Sequence, residues 1–504
     1  MVVLLTALIG FQSIPSDPDL WFHLADGRMI LANGCVPRAD PFSFTRANEL
    51  WVPHSWLFDV LAATSWDQLG PRTSEALMAL AYMVTFVVLF RMMTTNGASP
   101  MIAALVVAGL AIAAGNTRGI RPQVLSLLLT SLMLTALIAH KSRPGLRIII
   151  ALPLMFLLWA QLHAACVMGL IVCLTWLIGR AADSIARRDA NCPAMRELAL
   201  LVAALMASGL AILITPHAMT HYEYLRLTME LTFLRVFVAE WQAPQLWAIP
   251  DVYQFLLAAS VASLAIWRVR QRGRARTPRG PALSWSALGV AGATVALGFT
   301  ATRHIPLACI GVVPLLSELL PRSDAAGLAH RRTGRRSIVA LAAALCAVFV
   351  GFWRFPTDVQ SRYAAAEPVR GAQALAQLAR PLRVFTTYDT GAYVLWSAPA
   401  RLRVFVDSRA DVYGDPLLRI ALDAMAGRRW ERLFEQFNVQ AAVLGRNDPL
   451  AAILADRSAW ILLAEDVDAL TFVSAAEFEQ VAIDQDTWPH GSLRDLHFAP
   501  PPGR

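Results

Sequence analysis

The chain has 504 residues, of which 56% are hydrophobic and 16% are charged, and its mean hydropathy is +0.49. This composition is too apolar and too poorly charged for an ordinary soluble domain. The formal net charge of +8 does not indicate a nucleic-acid partner, because the arginines cluster in short loops between apolar runs. We therefore expect an α-helical polytopic membrane protein that binds no nucleic acid.

Apolar runs long enough to cross a hydrocarbon core of about 30 Å define eleven predicted membrane spans. The stretch 147–180 is divided in two near Gln161 and His163, because a single helix of that length would place its basic ends on opposite sides of the bilayer. A cleaved signal peptide is the alternative for the first run, although no positively charged region precedes it. The spans lie at about 1–15, 73–93, 100–116, 122–140, 147–162, 164–180, 197–215, 251–268, 282–301, 304–320 and 337–353.

Basic loops set the predicted orientation of these spans. Cytoplasmic loops of membrane proteins are enriched in Lys and Arg, and the four arginine-rich loops all become cytoplasmic if the N-terminus is cytoplasmic. The same topology places polar residues that are distant in sequence together at the outer face. These residues are Asp17, Asp19, Arg118, Arg121, His163, the loop 216–250, Arg303 and His304. Two carboxylates at a bilayer surface suit an enzyme that acts on lipid-carried substrates, because charge is costly in hydrocarbon.

The predicted outer loop 16–71 is too rich in Trp, Pro and polar residues to span the membrane. Its runs 20–32 and 54–68 are typical of amphipathic helices that lie in the interface. We expect four tryptophans of this loop to anchor it at headgroup depth, namely Trp21, Trp51, Trp56 and Trp66.

The chain becomes soluble-like from Arg354 onward, which predicts a small extracytoplasmic α/β domain over 354–504 with a disordered Pro-rich end at 500–504. The transmembrane domain is then 1–353. Predicted strands lie at 383–386, 393–396, 403–406 and 441–444, and predicted helices at 368–379, 415–437 and 448–456. Asp407, Arg409 and Asp411 follow a strand, where ligand groups often lie, but a structural Asp–Arg pair is an equal alternative.

A first span followed by a carboxylate-bearing loop with two interfacial helices resembles the GT-C class of membrane glycosyltransferases. A family of largely uncharacterised bacterial GT-C-like proteins is similar to this chain in more detail. The resemblance depends on Asp17-x-Asp19-Leu20-Trp21-Phe22-His23-Leu24, Asp40-Pro41-Phe42-Ser43-Phe44-Thr45, His54-x-Trp56, Arg121-Pro122-Gln123, Trp159-x-x-x-His163, Glu240-Trp241, Arg303-His304, Tyr388-Asp389-x-Gly391 and Val406-Asp407-x-Arg409. The chain departs from that family at Ser55, where a Glu is usual, and at Gln161, where an Asn is usual.

The resemblance implies transfer of a sugar from a polyprenyl-phosphate donor to an extracytoplasmic glycan, lipid or protein acceptor, at a bacterial inner (plasma) membrane. It implies Asp19 as the general base, aided by Asp17, with the donor phosphate held by Arg121, Arg303, His304 and His163. Asp17 and Asp19 could instead share a divalent cation, Mg or Mn, or merely cap the following helix. The supporting or acceptor-side candidates are His23, Asp40, His54, Glu240, Asp389, Asp407 and Arg409.

Three other functional classes stay open from the sequence. A polyprenyl-diphosphate glycan polymerase or ligase is the enzymatic alternative, although such enzymes usually carry their key Arg and His in a late outer loop. A transporter would need charged or helix-breaking sites near the middle of the bilayer. A non-catalytic membrane assembly subunit would retain binding without turnover.

The predicted topology can be checked with a reporter fused after Val406. We expect the fusion to be active as an extracytoplasmic reporter, because the assignment that keeps every arginine-rich loop inside places the chain after residue 354 outside. A fusion in the loop after Arg180 is the matched cytoplasmic control. Activity of the Val406 fusion only as a cytoplasmic reporter would contradict the predicted number of spans.

Overall fold

A computed structural model describes residues 17–186, 195–247, 249–274, 284–320, 365–378 and 380–478. The predicted spans 1–15 and 337–353, the predicted domain boundary at 354 and the Pro-rich end at 500–504 lie outside the described residues. The chain divides into two compact units. The first comprises residues up to Pro41, Arg46–Ala365 and Ser408–Arg419, and the second comprises Phe42–Thr45, Ala366–Asp407 and the residues from Ile420 onward.

The first unit is helical. Its helices are α1 (Asp19–Asn33), α2 (Trp56–Leu69), α3 (Pro71–Thr95), α4 (Pro100–Ala113), α5 (Pro122–Ser142), α6 (Arg147–Leu162), α7 (Cys166–Ala186), α8 (Met195–Ile212), α9 (Thr220–Glu230), α10 (Thr232–Phe237), α11 (Ile249–Arg274), α12 (Trp285–Gly298), α13 (Ile305–Gly311) and α14 (Val313–Leu319). Single 3₁₀ turns occur at Gly115–Thr117, Ala239–Trp241 and Thr302–His304.

Several of these helices suit a membrane. Within the described residues, α3, α5, α7 and α8 are long and apolar enough to cross a bilayer, and α4, α6 and α12 are shorter apolar helices. The protein is therefore a multi-pass membrane protein, as its composition predicts. The predicted break near His163 is confirmed, because α6 ends at Leu162 and α7 begins at Cys166. The predicted span 304–320 consists instead of the two short helices α13 and α14, each with a proline in its first turn.

The two helices predicted in the first outer loop are confirmed as α1 and α2, which pack closely against each other. Gly27 permits this contact, since a Cβ atom at that position would overlap the main-chain carbonyl of Asp59. The rings of Trp21 and Trp66 meet edge to face, with their centroids 5.9 Å apart.

The prediction that the tryptophans of this loop anchor it in headgroups is wrong for three of the four. Trp21, Trp51 and Trp66 are buried inside the protein. Their large apolar area is removed from water by helix packing and not by lipid, because α1 and α2 face each other rather than lying separately on a bilayer surface.

A buried cluster of charges lies where α7 approaches α8. The Arg180 guanidinium donates to both carboxylate oxygens of Glu197 at 2.9 and 3.0 Å and to Asp183 at 3.2 Å. Asp183 also accepts the main-chain N–H of Trp285 at the start of α12. These charges are paired with one another near helix ends, which satisfies them without a ligand.

The second unit contains a five-stranded mixed sheet with the order β2-β1-β3-β5-β4. β1 pairs in parallel with β2 and β3, and β5 pairs antiparallel with β3 and β4. The strands are β1 (Leu382–Phe385), β2 (Leu402–Val404), β3 (Ala441–Gly445), β4 (Trp460–Glu465) and β5 (Ala469–Ser474), and the accompanying helices are α15 (Val369–Gln377), α16 (Gly391–Ser397), α17 (Ala410–Met425), α18 (Trp430–Phe437) and α19 (Pro449–Ala455). The helix α17 passes from the first unit to the second after Arg419.

A segment from the N-terminal loop completes this sheet. Ser43 forms a parallel bridge with Val404 of β2. The Phe44 N–H donates to the Val404 carbonyl at 3.2 Å, and the Val404 N–H donates to the Phe42 carbonyl at 3.3 Å. Residues 42–45 therefore cover the outer edge of β2.

The structure confirms the predicted strands near 383–386, 403–406 and 441–444 but not the one at 393–396. Those residues belong to α16, whose Gly391 to Leu395 are all buried. A short apolar run that is buried on every side has no periodicity to separate helix from strand, which explains the error. The predicted helix 415–437 is two helices, because Gly427 and Arg429 have positive φ angles of 76° and 55°.

We expect Gly27→Ala to destabilise the protein by about 1–3 kcal/mol, because the added methyl group forces α1 away from α2. The midpoint of thermal unfolding in detergent should fall. The matched control is Gly109→Ala in α4, where a Cβ atom would meet no atom within 4 Å. Equal unfolding midpoints for the two variants would contradict the close contact at Gly27.

Candidate functional site

Arg121 lies at the centre of the candidate site. It precedes Pro122, the first residue of α5, and its extended main chain (φ −132°, ψ 141°) is the conformation that a following proline favours. Its guanidinium forms an ion pair with Asp17, to which Nη2 also donates at 3.2 Å. The same group lies 4.0 Å from a carboxylate oxygen of Asp19 and 3.1 Å from one of Glu240.

The two neighbouring carboxylates have different surroundings. The Asp17 side chain is 8% exposed, is paired with Arg121 and accepts the main-chain N–H of Asp19 at 3.1 Å. The Asp19 side chain is 27% exposed and only reaches Arg121 at 4.0 Å. Asp17 therefore holds Arg121 and the start of α1, whereas Asp19 is available to a substrate group.

Asp19 has the electrostatic environment of a base that works near neutral pH. Loss of hydration on burial, and then the negative charge of Asp17, raise the pKa of Asp19 to about 7. Arg121 opposes this shift but does not cancel it. A carboxyl group with such a pKa exchanges protons in the range where general bases are most effective.

Glu240 joins Arg121 to a second arginine. Its other oxygen lies 3.3 Å from Nη1 of Arg303, whose guanidinium stacks over the Trp241 ring with 4.1 Å to the centroid. Burial alone would raise the pKa of Glu240, but the two arginines lower it. Asp17, Asp19, Arg121, Glu240 and Arg303 thus form one continuous charged cluster, although they span almost 290 positions of sequence.

A cavity of about 140 Å³ adjoins this cluster. His163, Arg303 and His304 line it, together with Ser126, Trp159 and Tyr224. Asp17, Asp19 and Arg121 are not among its lining residues, so the structure divides the six predicted site residues between a cavity and the adjoining charged cluster.

Hydrogen bonds fix the histidine His163 in this cavity. Nε1 of Trp159 donates to Oγ of Ser126 at 2.9 Å, and Oγ of Ser126 lies 2.7 Å from Nδ1 of His163. The serine oxygen has two lone pairs and one proton, so it can accept from the tryptophan and also bond to Nδ1 of His163. These two bonds hold the imidazole of His163 in place.

Two other predicted site residues, His54 and His304, are also held by their neighbours. The ring of His54 stacks on Tyr224 with centroids 4.1 Å apart, and the Tyr224 hydroxyl lies 3.3 Å from its Nε2. Nδ1 of His304 lies 3.0 Å from the Thr300 hydroxyl. Both histidines are thus positioned by neighbours rather than free to rotate.

The other predicted supporting residues include Asp40, Arg409, Asp389 and Asp407. Asp40 and Arg409 form a buried ion pair at 2.9 Å, and the Arg409 guanidinium stacks over Trp51. Arg409 thus takes part in a structural Asp–Arg pair, with a carboxylate that comes from the first outer loop. Asp389 and Asp407 belong to the second unit, where Asp407 is buried and burial raises the pKa of Asp389.

Sequence analysis did not identify two buried carboxyl groups behind Asp19. Asp26 on α1 and Asp59 on α2 are 0% and 1% exposed, and Asp59 lies 2.6 Å from Nδ1 of His23. The signal was present, because Asp19, His23 and Asp26 have the i, i+4, i+7 spacing that places side chains on one helix face.

A resident metal ion fits these residues poorly. In the part of the chain that the structure describes, no group of three or more His, Cys, Asp or Glu side chains could hold a metal ion. Hard divalent cations take six or more oxygen ligands, and Asp17, one of the two candidates, is already paired with the Arg121 guanidinium. We therefore assign no catalytic step to a cation.

No protein-family model matches the chain, and no curated protein matches it. The crystal structure of ArnT from Cupriavidus metallidurans bound to undecaprenyl phosphate is similar, with a TM-score of 0.46, 12% identity and coverage of 94% of this chain and 97% of that chain. The apo structure of the same protein gives a TM-score of 0.38 with the same identity and coverage. At these scores neither structure assigns a ligand or an activity to this chain.

Proposed function

We propose that the protein is a GT-C-like membrane glycosyltransferase that transfers a sugar from a polyprenyl-phosphate donor to an extracytoplasmic acceptor. The observation that carries the proposal is the placement of Asp19, a carboxylate with a pKa raised to about 7, beside Arg121, which Glu240 links to a second arginine, Arg303. A base next to fixed positive charge is what displacement of a phosphate by a hydroxyl requires.

The reaction would proceed by attack of the acceptor hydroxyl on the anomeric carbon of the sugar. The bond from that carbon to the donor phosphate oxygen breaks, and its electron pair leaves with the polyprenyl phosphate. Asp19 accepts the hydroxyl proton as the new glycosidic bond forms. Asp17 would not compete for this role, because its carboxylate is used by Arg121 and by the α1 main chain.

The leaving phosphate would be stabilised from the cavity side. Arg303 and His304 line the cavity of about 140 Å³, and so does His163, whose imidazole is held by Ser126. Glu240 and Trp241 orient the Arg303 side chain before any ligand binds. Such preorganised charge costs little reorganisation when negative charge develops on the leaving group.

The cellular setting is part of the same proposal. We place the protein in a bacterial inner membrane, with the N-terminus in the cytoplasm and residues 354–504 outside. The arginine-rich loops favour this orientation. The lipid bilayer and a polyprenyl-linked sugar are then its immediate partners.

Each alternative function requires a different kind of site. A transporter needs a substrate site within the spans, whereas the buried charges Arg180, Asp183 and Glu197 are paired with each other near helix ends. A polyprenyl-diphosphate glycan polymerase or ligase could also use the arginines to bind phosphate. Asp19 could serve as a base in that reaction as well as in transfer from a polyprenyl-phosphate donor. A non-catalytic assembly subunit would not require a carboxylate whose pKa is raised to about 7.

We expect Asp19→Asn to reduce sugar transfer by about 10²- to 10⁴-fold, because it removes the base while keeping the shape of the side chain. Asp17→Asn should affect donor binding more than turnover, since it releases Arg121. Transfer is measured in membranes from a radiolabelled polyprenyl-phosphate sugar, with a chelator arm to test for a divalent cation. The matched control is Asp67→Asn, an exposed aspartate of α2 that pairs with Arg28 at the surface.

Three results would contradict the assignment. If the Asp17→Asn, Asp19→Asn double variant transfers sugar at the wild-type rate, the base lies elsewhere. If the Asp67→Asn control loses as much activity as Asp19→Asn, the loss reflects folding and not chemistry. If a chelator abolishes transfer, the two carboxylates act through a cation.

The rate of transfer should depend on pH through Asp19. The carboxyl group must be ionised to act as the base, and its pKa is raised to about 7, so kcat/KM should rise with pH up to about 7. Burial is the largest cause of this pKa, and the charges of Asp17, Arg121 and Glu240 modify it. This expectation is tested by measuring rates from pH 5 to 9 in membranes, under conditions in which the protein stays folded. A flat profile would contradict it.

A further inference from the structure

The interface between α1 and α2 contains a group of ionisable side chains that the proposed reaction does not use. His23 and Asp26 come from α1, and Ser55 and Asp59 come from the start of α2. All four are buried. Asp19 is on the same face of α1 as His23, one turn nearer to the helix start.

The contact between the carboxyl groups of Asp26 and Asp59 requires at least one proton. Among the described residues, neither oxygen of Asp26 has a nitrogen or hydroxyl donor, and its carboxyl group instead faces that of Asp59. Two carboxyl groups can only bond through a proton that one of them carries. An isolated buried carboxylate would otherwise remain without compensation, which is very costly.

A hydrogen-bonded chain thus begins at Asp26, passes through Asp59 and ends at His23. Oδ1 of Asp59 lies 2.6 Å from Nδ1 of His23, and Ser55 donates its hydroxyl proton to the same Asp59 oxygen at 3.0 Å. The rings of Phe22 and Phe58 contact the imidazole, with centroids 4.1 and 5.2 Å away. Aromatic surroundings and burial disfavour a charged imidazolium at this position.

We propose that Asp26 and Asp59 both keep a proton inside the α1–α2 interface, and that Asp59 donates its proton to Nδ1 of His23 so that the N–H of this histidine is on Nε2. His23 is then a positioning residue for Asp19, because the neutral imidazole directs a donor, and not a lone pair, along the α1 face that carries the base. This role rests on the proposed transferase function, whereas the two protonated carboxyl groups do not.

The electrostatic environment supports this arrangement. Burial, and then the charge of Asp59, raise the pKa of Asp26, and burial raises that of Asp59 to about 8. Burial lowers the pKa of His23 to about 4, although Asp19, Asp17 and Asp26 act in the opposite direction. The other charged groups that face these residues are Arg121, which acts on His23, and Arg409, which acts on Asp26.

Substitution of Asp59 by asparagine tests the direction of the bond to His23. In Asp59→Asn the amide N–H can replace the carboxyl proton as the donor to Nδ1, while the amide oxygen still accepts from Asp26 and Ser55. We therefore expect Asp59→Asn to transfer sugar at close to the wild-type rate. Asp59→Leu has no donor, and should lose transfer by about ten-fold or more.

The pH profile separates positioning from packing. When Asp59 loses its proton, near pH 8, the bond to His23 reverses and the Nε2 donor is lost, so wild-type transfer should decline above that pH. An amide does not ionise, so Asp59→Asn should remove the decline. A purely structural Asp59 would leave the profiles of wild type and Asp59→Asn the same, which would overturn the positioning role. Severe loss of transfer in a folded Asp59→Asn variant would overturn it also, because that result requires an ionised Asp59.

Infrared spectroscopy tests the protons without any assay of activity. Purified wild-type protein at pH 7 should show the carbonyl-stretch band of protonated carboxyl groups, and the band should weaken in Asp26→Asn and in Asp59→Asn but not in the surface control Asp67→Asn. Absence of any change in both buried variants would overturn the proton-sharing pair even if the enzyme is active. A wild-type protein with the band but without transfer from any polyprenyl-phosphate sugar would overturn the positioning role together with the proposed function, and it would establish the pair alone.

Discussion

The contact between α1 and α2 at Gly27 is the constraint on which the rest of the candidate site depends. Because a side chain at this position would overlap the Asp59 main chain, only glycine lets the helices approach so closely. The approach buries Trp21 and Trp66 against each other and places Asp59 beside His23. It also fixes the direction of the first turn of α1, which carries Asp19. Packing several residues away from Asp19 thus positions the proposed base.

The charged side chains of the candidate site are already paired with one another before any substrate binds. Glu240 neutralises part of two arginines, and Asp17 is fully engaged by Arg121. A substrate phosphate would compete with Glu240 for Arg303 instead of meeting a bare cation. This favours selectivity over affinity, because a ligand gains only the difference between its own contacts and those that it replaces.

Much of the helical architecture could be predicted because spans and interfacial helices have strong composition signals. The break at His163 followed from charge, and the ends of α1 and α2 were close to those expected. Residues such as Arg121, Glu240 and Arg303 could be named from their polar character, but their ion pairs depend on tertiary packing that no local pattern encodes.

Other features could not be recovered from the sequence for physical reasons. The burial of Trp21 and Trp66 was missed because an amphipathic helix has the same pattern whether it faces lipid or another helix. The helix α16 was mistaken for a strand because its apolar residues show no period. Asp26 and Asp59 were overlooked because isolated aspartates in a polar loop are usually exposed.

Residues 42–45 pair with the edge of β2, so the sheet of the second unit is completed by a segment from the N-terminal part of the chain. The Thr45 hydroxyl bonds to the Phe405 carbonyl across 360 positions of sequence, so this contact forms only after nearly the whole chain has been synthesised. Until then, or in a fragment that begins after Ala365, the edge of β2 offers unpaired N–H and C=O groups. Such an edge is a template for pairing with other chains. By covering this edge, the N-terminal loop therefore protects a sheet encoded near the opposite end of the chain from aggregation.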